Sequence, residues 1–160
     1  MGPARAVADY ALDELQDESG AFRDADPEGA GLLDRPLHPL DTNASVADAL
    51  VDCWLLTDEE RYRTAAREAL AAFAGAIDRM GVEVAHYASA VARLRDPQVV
   101  AVGAPAGSDL HRAALRLVDH ESVVAPDDDR ADDGTAVVFA DGEETGRADS
   151  PEELESVLTG

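Results

Sequence analysis

The stretch PLDTNASVADALVDCWLLTDEERYRTAAREAL, residues 39–70, decides the fold of the first half of this chain. Apolar residues recur in it every three or four positions, which is the period of an amphipathic helix. Two neighbouring apolar rows lie on its first helix: Val46, Leu50 and Trp54 form one, and Ala47, Val51 and Leu55 form the other. A face this broad predicts a helix that is covered on more than one side.

Polar residues stand at both ends of this helix. Asp41, Thr42 and Asn43 are all good N-cap residues, so the pattern predicts that Thr42 or Asn43 caps a helix that begins near Ala44. A second interpretation is that Asp41 and Asn43 line a pocket at the helix entrance. The TDEE sequence at 57–60 fits a capping box and predicts that a new helix starts there.

The segments on either side extend the helical pattern. Residues 3–16 and 84–95 each predict a helix, because apolar residues recur in both at helical spacing. In the first helix the stripe consists of Val7, Tyr10, Ala11 and Leu15, and in the second the inward residues are Val84, Tyr87, Ala88, Val91 and Leu94. Residues 17–43 are rich in Gly, Pro and Asp and predict a long ordered loop. Residues 1–96 are therefore expected to form helical hairpins with this loop inserted.

The period changes at Pro97. QVVAVG reads as a buried strand, and SDLHRAALRLVD reads as a short helix capped by Ser108. SVVAP and TAVVFADGEE predict two further strands, the latter ending in an Asp141-Gly142 hairpin turn, and SPEELESVL predicts a last helix capped by Ser150. Residues 97–160 thus predict a small β-α-β-β-α module. The expected fold class is α+β.

The charge balance excludes several classes of partner. The chain has 34 acidic residues against 13 basic ones, all Arg, and a formal charge of -21. Nucleic acids and anionic membranes are bound mainly through Lys and Arg, so neither is an expected partner. The composition predicts a protein of an extreme halophile, the alternative being an acidic mesophilic protein from a GC-rich genome. No apolar signal or membrane segment is recognisable, so the expected location is the cytoplasm.

The motifs for cofactors and metals are incomplete. The loop VGAPAGSDL at 102–110 lies between a strand and a helix, but it lacks the glycine patterns of nucleotide-binding loops. DADPEGAGLLDR at 24–35 begins like a calcium loop, yet Arg35 stands where the bidentate Glu belongs. The four histidines show no ligand spacing, and Cys53 is the only cysteine. No metal and no cofactor are therefore expected.

Four segments together resemble the C-terminal end of the YyaL and spermatogenesis-associated family of thioredoxin-domain proteins. They are ESGAFRDA at 18–25, the stretch at 39–77, PQVVAVG at 97–103 and the tail TAVVFADGEETGRADSPEELESVL at 135–158. The resemblance implies that the helices belong to a six-hairpin, glycosidase-like α/α toroid. It places Asp41 and Asn43 near the inner-helix entry of that toroid, as pocket residues. The Cys pair common near the family's last strand is absent here, where Phe139 stands instead.

The resemblance and the residues together lead to one functional expectation and one alternative. We expect a non-catalytic assembly or interaction module that contacts another chain, or itself, through the Val46, Leu50 and Trp54 helix. The alternative is part of an enzyme that acts on a carbohydrate-like substrate, with Asp41 as acid or base and Asn43 orienting. Glycoside hydrolysis requires a second carboxylate, which the sequence does not identify.

Overall fold

A computed structural model describes residues 2–25, 36–79, 81 and 84–159. Within these ranges the chain is α+β, with helices first and a small mixed sheet afterwards. It divides into two compact units, Met1–Leu94 and Arg95–Gly160, and each is described by itself. The predicted boundary after residue 96 lies two residues beyond this division. No helix in the described ranges has both the length and the apolar content that crossing a membrane requires.

The described residues of the first unit form four α-helices. They are α1 at Gly2–Tyr10, α2 at Leu40–Thr57, α3 at Glu60–Phe73 and α4 at Val84–Arg95. Helix α1 continues as a π-helical turn at Ala11–Leu15, and α3 continues as a 3-10 turn at Ala74–Arg79. Only two residues separate α2 from α3, so these helices form an antiparallel hairpin. The predicted calcium-like segment lies almost wholly at 26–35, outside the described residues.

Helix α2 begins earlier than its cap residues predicted. It starts at Leu40 rather than near Ala44, and Pro39 occupies the N-cap position in an extended conformation without a side-chain cap. The amide of Asn43 donates to the carbonyl of Pro39 over 3.0 Å, which closes the first helical turn. The prediction that Thr42 or Asn43 caps the helix is therefore wrong, and the loop predicted at 17–43 ends four residues sooner, at Pro39.

The capping box predicted at 57–60 is also wrong. Thr57 still belongs to α2, and its hydroxyl donates to the carbonyl of Cys53 over 2.6 Å. Asp58 then ends the helix in the left-handed conformation, at φ 59°, and Glu59 precedes α3 without a side-chain cap. Asp can adopt this conformation because its short side chain tolerates it better than most. The turn is thus a helix C-terminus and not an N-terminal box.

The second unit is a four-stranded sheet with two helices. Its elements are β1 at Gln98–Val102, α5 at Asp109–Leu117, β2 at Val123–Pro126, β3 at Ala136–Ala140, β4 at Glu143–Ala148 and α6 at Pro151–Thr159. The strand order is β2-β1-β3-β4, in which β1 pairs in parallel with β2 and antiparallel with β3. The apolar side chains of one sheet face, among them Val100, Val102 and Val138, pack with Leu110 of α5 and Leu154 of α6.

The strand β4 is absent from the predicted β-α-β-β-α order, so the prediction was one strand short. Its sequence EETGRA is polar and mostly exposed because it forms the sheet edge, and it carries no apolar alternation. The turn that leads into it was predicted correctly. Asp141 and Gly142 both have positive φ, 50° and 79°, as a two-residue hairpin turn requires.

The predicted caps of the last two helices are confirmed. Ser108 accepts a hydrogen bond from the amide of His111 at the start of α5. Ser150 accepts from the amide of Glu153 at the start of α6, and the Glu153 carboxylate reaches back to the amide of Asp149. These contacts involve residues within four positions of each other, which is why the sequence alone predicted them.

Candidate functional site

Asn43, one of the two predicted pocket residues, lies in the interior of the helical unit. It is 1% exposed, and its side-chain oxygen accepts from the amide of Phe22 over 2.6 Å. Its side-chain nitrogen donates to the carbonyls of Phe22 and Pro39 over 2.9 and 3.0 Å. The side chain of Asn43 therefore holds the segment around Phe22 against the start of α2, as a neighbouring strand would.

Asp41, the other predicted pocket residue, lies at the surface. Its side chain is 68% exposed, and one carboxylate oxygen lies 2.9 Å from Nδ1 of His86 in α4. This pair joins the first turns of α2 and α4. Asp41 and Asn43 therefore belong to different environments, one exposed and one enclosed.

A shallow cavity of about 560 Å³ occurs in the same unit but does not include either residue. It is lined by Asp17, Glu18, Ser19, Gly20, Glu68, Ala71 and Ala72. Hydrogen bonds from Ser19 hold the pKa of Asp17 below its usual value, and the nearby His38 lowers it further. The acidic rim disfavours anionic ligands such as phosphate esters.

An ion-pair cluster that the sequence did not predict connects α4 to α2. Arg93 is only 8% exposed, and its guanidinium donates to the carboxylates of Asp48 and Asp52. Burial by itself lowers the pKa of Arg93, but the hydrogen bonds to the two carboxylates outweigh it and leave that pKa raised. The side chains of Asp48 and Asp52 are themselves partly exposed, at 38% and 47%. Their spacing of four residues was the available signal, since it puts both on one side of the helix.

Helix α4 is rotated from its predicted orientation. The buried residues are Tyr87, Ala90 and Arg93, whereas Ala88, predicted to face inward, is exposed. The hydroxyl of Tyr87 donates to the carbonyl of Leu70 in α3 over 2.8 Å. A buried Arg on α4 cannot be inferred from apolar periodicity, because it depends on two carboxylates of another helix.

Helix α1 is joined to the α2–α3 turn by charged and polar contacts. Arg5 pairs with Glu59, and Arg61 pairs with Asp9 over 2.6 Å. The hydroxyl of Tyr62, whose ring is enclosed, donates to Asp9 over 2.6 Å and accepts from Arg61 over 2.9 Å. Burial and the hydrogen bond to Asp9 raise the pKa of Tyr62.

The outward side of α1 is apolar. Val7 is 69% exposed and Tyr10 is 55% exposed, and Pro3 and Ala6 at the same helical spacing are exposed as well. We call these four residues the α1 row. The predicted stripe of this helix included Val7 and Tyr10, and the structure places both at the surface. Ala8 is the one residue of α1 that is buried.

The rows predicted as a contact surface on α2 have a different environment. Leu50 is enclosed within the protein, and so are Ala47 and Val51. Trp54 is half-buried, with the guanidinium carbon of Arg63 4.5 Å from the centre of its ring. Cation–π contacts of this kind cover an aromatic face with a charged side chain. The exposed apolar surface of the helical unit is thus larger on α1 than along the Val46, Leu50 and Trp54 row.

The loop between β1 and α5 already uses much of its hydrogen-bonding capacity. The amide of Gly103 donates to the carbonyl of Thr135 over 2.9 Å, and the amide of Gly107 donates to Nδ1 of His111 over 3.0 Å. The hydroxyl of Ser108 caps α5. A phosphate cradle needs several free amides at a helix start. This arrangement therefore favours a turn with a cap over a nucleotide site.

Thiol and metal chemistry find little support in the described part of the chain. Cys53 is buried, and desolvation together with the carboxylates of Asp52, Asp9 and Glu59 raises the pKa of its thiol. A thiol with a raised pKa is a poor nucleophile at neutral pH because little thiolate is present. Among the described residues, no group of three or more His, Cys, Asp or Glu side chains is arranged to hold a metal ion.

No protein-family model matches this chain, and neither a curated protein nor a solved structure matches it.

Proposed function

We propose that this chain is a non-catalytic assembly module, related to the C-terminal end of the YyaL and spermatogenesis-associated family, whose helical unit binds another protein chain. The observation that carries the proposal is the exposed α1 row. Val7 and Tyr10 are among the most exposed large apolar side chains in the described ranges. Apolar residues that form a contiguous exposed face mark interaction sites more often than scattered ones do.

The arrangement of the first unit supports assembly more than catalysis. A glycosidase uses two carboxyl groups about 5 to 10 Å apart on either side of the scissile bond. Asp41 instead pairs with His86 at the surface, and all three hydrogen bonds of the Asn43 side chain go to backbone groups. Asn43 therefore has a structural role, and the carbohydrate-enzyme alternative loses its orienting residue.

The proposal moves the contact surface from α2 to α1. Leu50 is enclosed, so the Val46, Leu50 and Trp54 row cannot present a continuous apolar face. The polar side of α1 is already occupied by the Arg5–Glu59 and Asp9–Arg61 pairs. A partner would therefore approach α1 from the side that carries Val7 and Tyr10.

The proposed assembly can be tested in an extract of the cells that naturally produce the protein. The quantity to measure is the mass of the complex that contains the chain. A tagged chain should sediment in native extract, at molar KCl, well above its own 16.8 kDa. The double variant Val7→Ser with Tyr10→Ser should shift most of it to the mass of the free chain. Exposed substitutions each change stability by only about 0.5 kcal/mol, so the double variant stays folded.

The matched control is Leu37→Ser with Leu115→Ser, which removes two similarly exposed apolar side chains outside α1. This control should keep the wild-type mass. A wild-type chain that sediments alone, or a complex equally sensitive to both double variants, would contradict the proposed function.

We further propose that the protein is adapted to molar salt. The chain has a formal charge of -21, so its acidic side chains repel one another in the folded state. This repulsion is screened when the Debye length falls to about 3 Å at 1 M salt. Helicity by circular dichroism should therefore rise as KCl increases from about 0.1 M to 2 M. The same titration with sucrose in place of KCl controls for solvent exclusion. Full helicity in dilute buffer would refute the adaptation.

A further inference from the structure

Helix α1 exposes one apolar row, although its inward side, with Ala8 buried and Leu12 half-buried, is also apolar. Its charged residues Arg5 and Asp9 face the rest of the unit, where they pair with Glu59 and Arg61, while Val7 and Tyr10 face outward. A surface helix normally turns its apolar face to the core and its charges to water. In a chain with 34 acidic residues, such an outward apolar row indicates that another surface covers it.

The charges along α1 indicate what that surface is. The first turn carries no acidic residue. The other end carries Asp13 and Glu14, both exposed. Negative charge is favourable at a helix N-terminus and unfavourable at a C-terminus. Helix α1 is therefore complementary to itself when reversed, and it repels itself when aligned in parallel.

The apolar positions agree with the same reversed alignment. If residue i of one copy lies opposite residue 17 − i of the other, Val7 meets Tyr10 and Ala6 meets Ala11. The same register puts Glu14 beside Pro3, in the first turn of the other helix. Small residues between the larger ones let two helices approach closely.

We infer that the α1 row binds the α1 row of a second copy of this chain, as an antiparallel two-fold helix pair. The inference rests on the proposed function and specifies its partner. Contact through one helix buries less than the roughly 1,200 Å² of a stable interface, so the dimer is weak. Two chains of charge -21 repel each other in dilute buffer, so the pair forms at high salt.

Sedimentation equilibrium of the purified full chain tests the self-association. In 2 M KCl the wild type should show a concentration-dependent rise from 16.8 kDa toward twice that mass. Val7→Ser with Tyr10→Ser should lower the association constant at least about tenfold, as loss of central contact residues does. Leu37→Ser with Leu115→Ser should leave it unchanged.

Cross-linking tests the antiparallel register. Pro3→Cys mixed with Glu14→Cys should form a disulfide-linked pair under diamide, because these positions face each other. Each variant alone should not, since like positions lie 11 residues apart, about 16 Å along the helix, and a disulfide needs α-carbons within about 7 Å. The wild type, which keeps buried Cys53, is the background control.

Two results would overturn the inference. A pure wild type that stays at the free-chain mass at every concentration in 2 M KCl would exclude the second copy as partner. Equal cross-linking by the single variants would exclude the antiparallel pair. If the native complex persists in either case and still depends on Val7 and Tyr10, the proposed function stands with a different partner. If the native complex is absent as well, both fail.

Discussion

Replacing Asn43 by alanine is expected to destabilise the helical unit by about 2 to 4 kcal/mol, because it leaves buried backbone groups without partners. The amide and the carbonyl of Phe22 both bond to the Asn43 side chain, and both residues are only 1% exposed. Urea denaturation followed by circular dichroism at high salt measures the loss.

The neighbouring substitution Thr42→Ala is the matched control for Asn43→Ala. Thr42 is exposed in the first turn of α2, and the N-cap position belongs to Pro39. Its replacement should change stability by no more than about 0.5 kcal/mol. A Thr42→Ala loss as large as that of Asn43→Ala would restore the cap that the sequence predicted and contradict the buried contact.

Gly103→Ala is expected to destabilise the sheet unit by about 3 kcal/mol or more through steric overlap. A β-carbon at this position would lie 2.1 Å from the carbonyl oxygen of Asp132 and 2.7 Å from that of Ala131. Both are backbone atoms, and the loop is held in place because the amide of Gly134 donates to the carbonyl of Gly103 over 2.7 Å. Thermal unfolding, followed by near-ultraviolet and far-ultraviolet dichroism, measures the effect.

Gly75→Ala controls for the general effect of removing a glycine. A β-carbon at Gly75 would meet nothing within 4 Å, so this variant should be neutral or slightly stabilising. If Gly103→Ala proves as stable as Gly75→Ala, the close contact between the β1–α5 loop and residues 131–132 is not present in solution.

The interpretation of the β1–α5 loop shows how tertiary contacts change the meaning of a motif. In the sequence, Gly103 and Gly107 belong to a loop between a strand and a helix that lacks the glycine patterns of nucleotide-binding loops. In the structure, Gly103 is required because another loop passes against it. The partner loop lies about 30 residues further along the chain, so no local pattern could reveal the contact.

The sequence by itself determined the features that depend on near neighbours. The α+β class follows from apolar periods of 3.6 and 2 residues, which are properties of the backbone geometry. The caps at Ser108 and Ser150 and the turn at Asp141-Gly142 likewise need only side chains or dihedral preferences within four residues. These predictions are confirmed for that reason.

Only the tertiary structure decided which of several equivalent local roles a residue takes. Asn43 could cap a helix or hold a distant strand-like segment, and its bonds to Phe22, 21 residues away, decided between them. Arg93 could face water or pair with Asp48 and Asp52, and Val7 and Tyr10 of α1 could be buried or exposed. In each case the alternatives have similar local energies, so contacts from other helices determined the outcome.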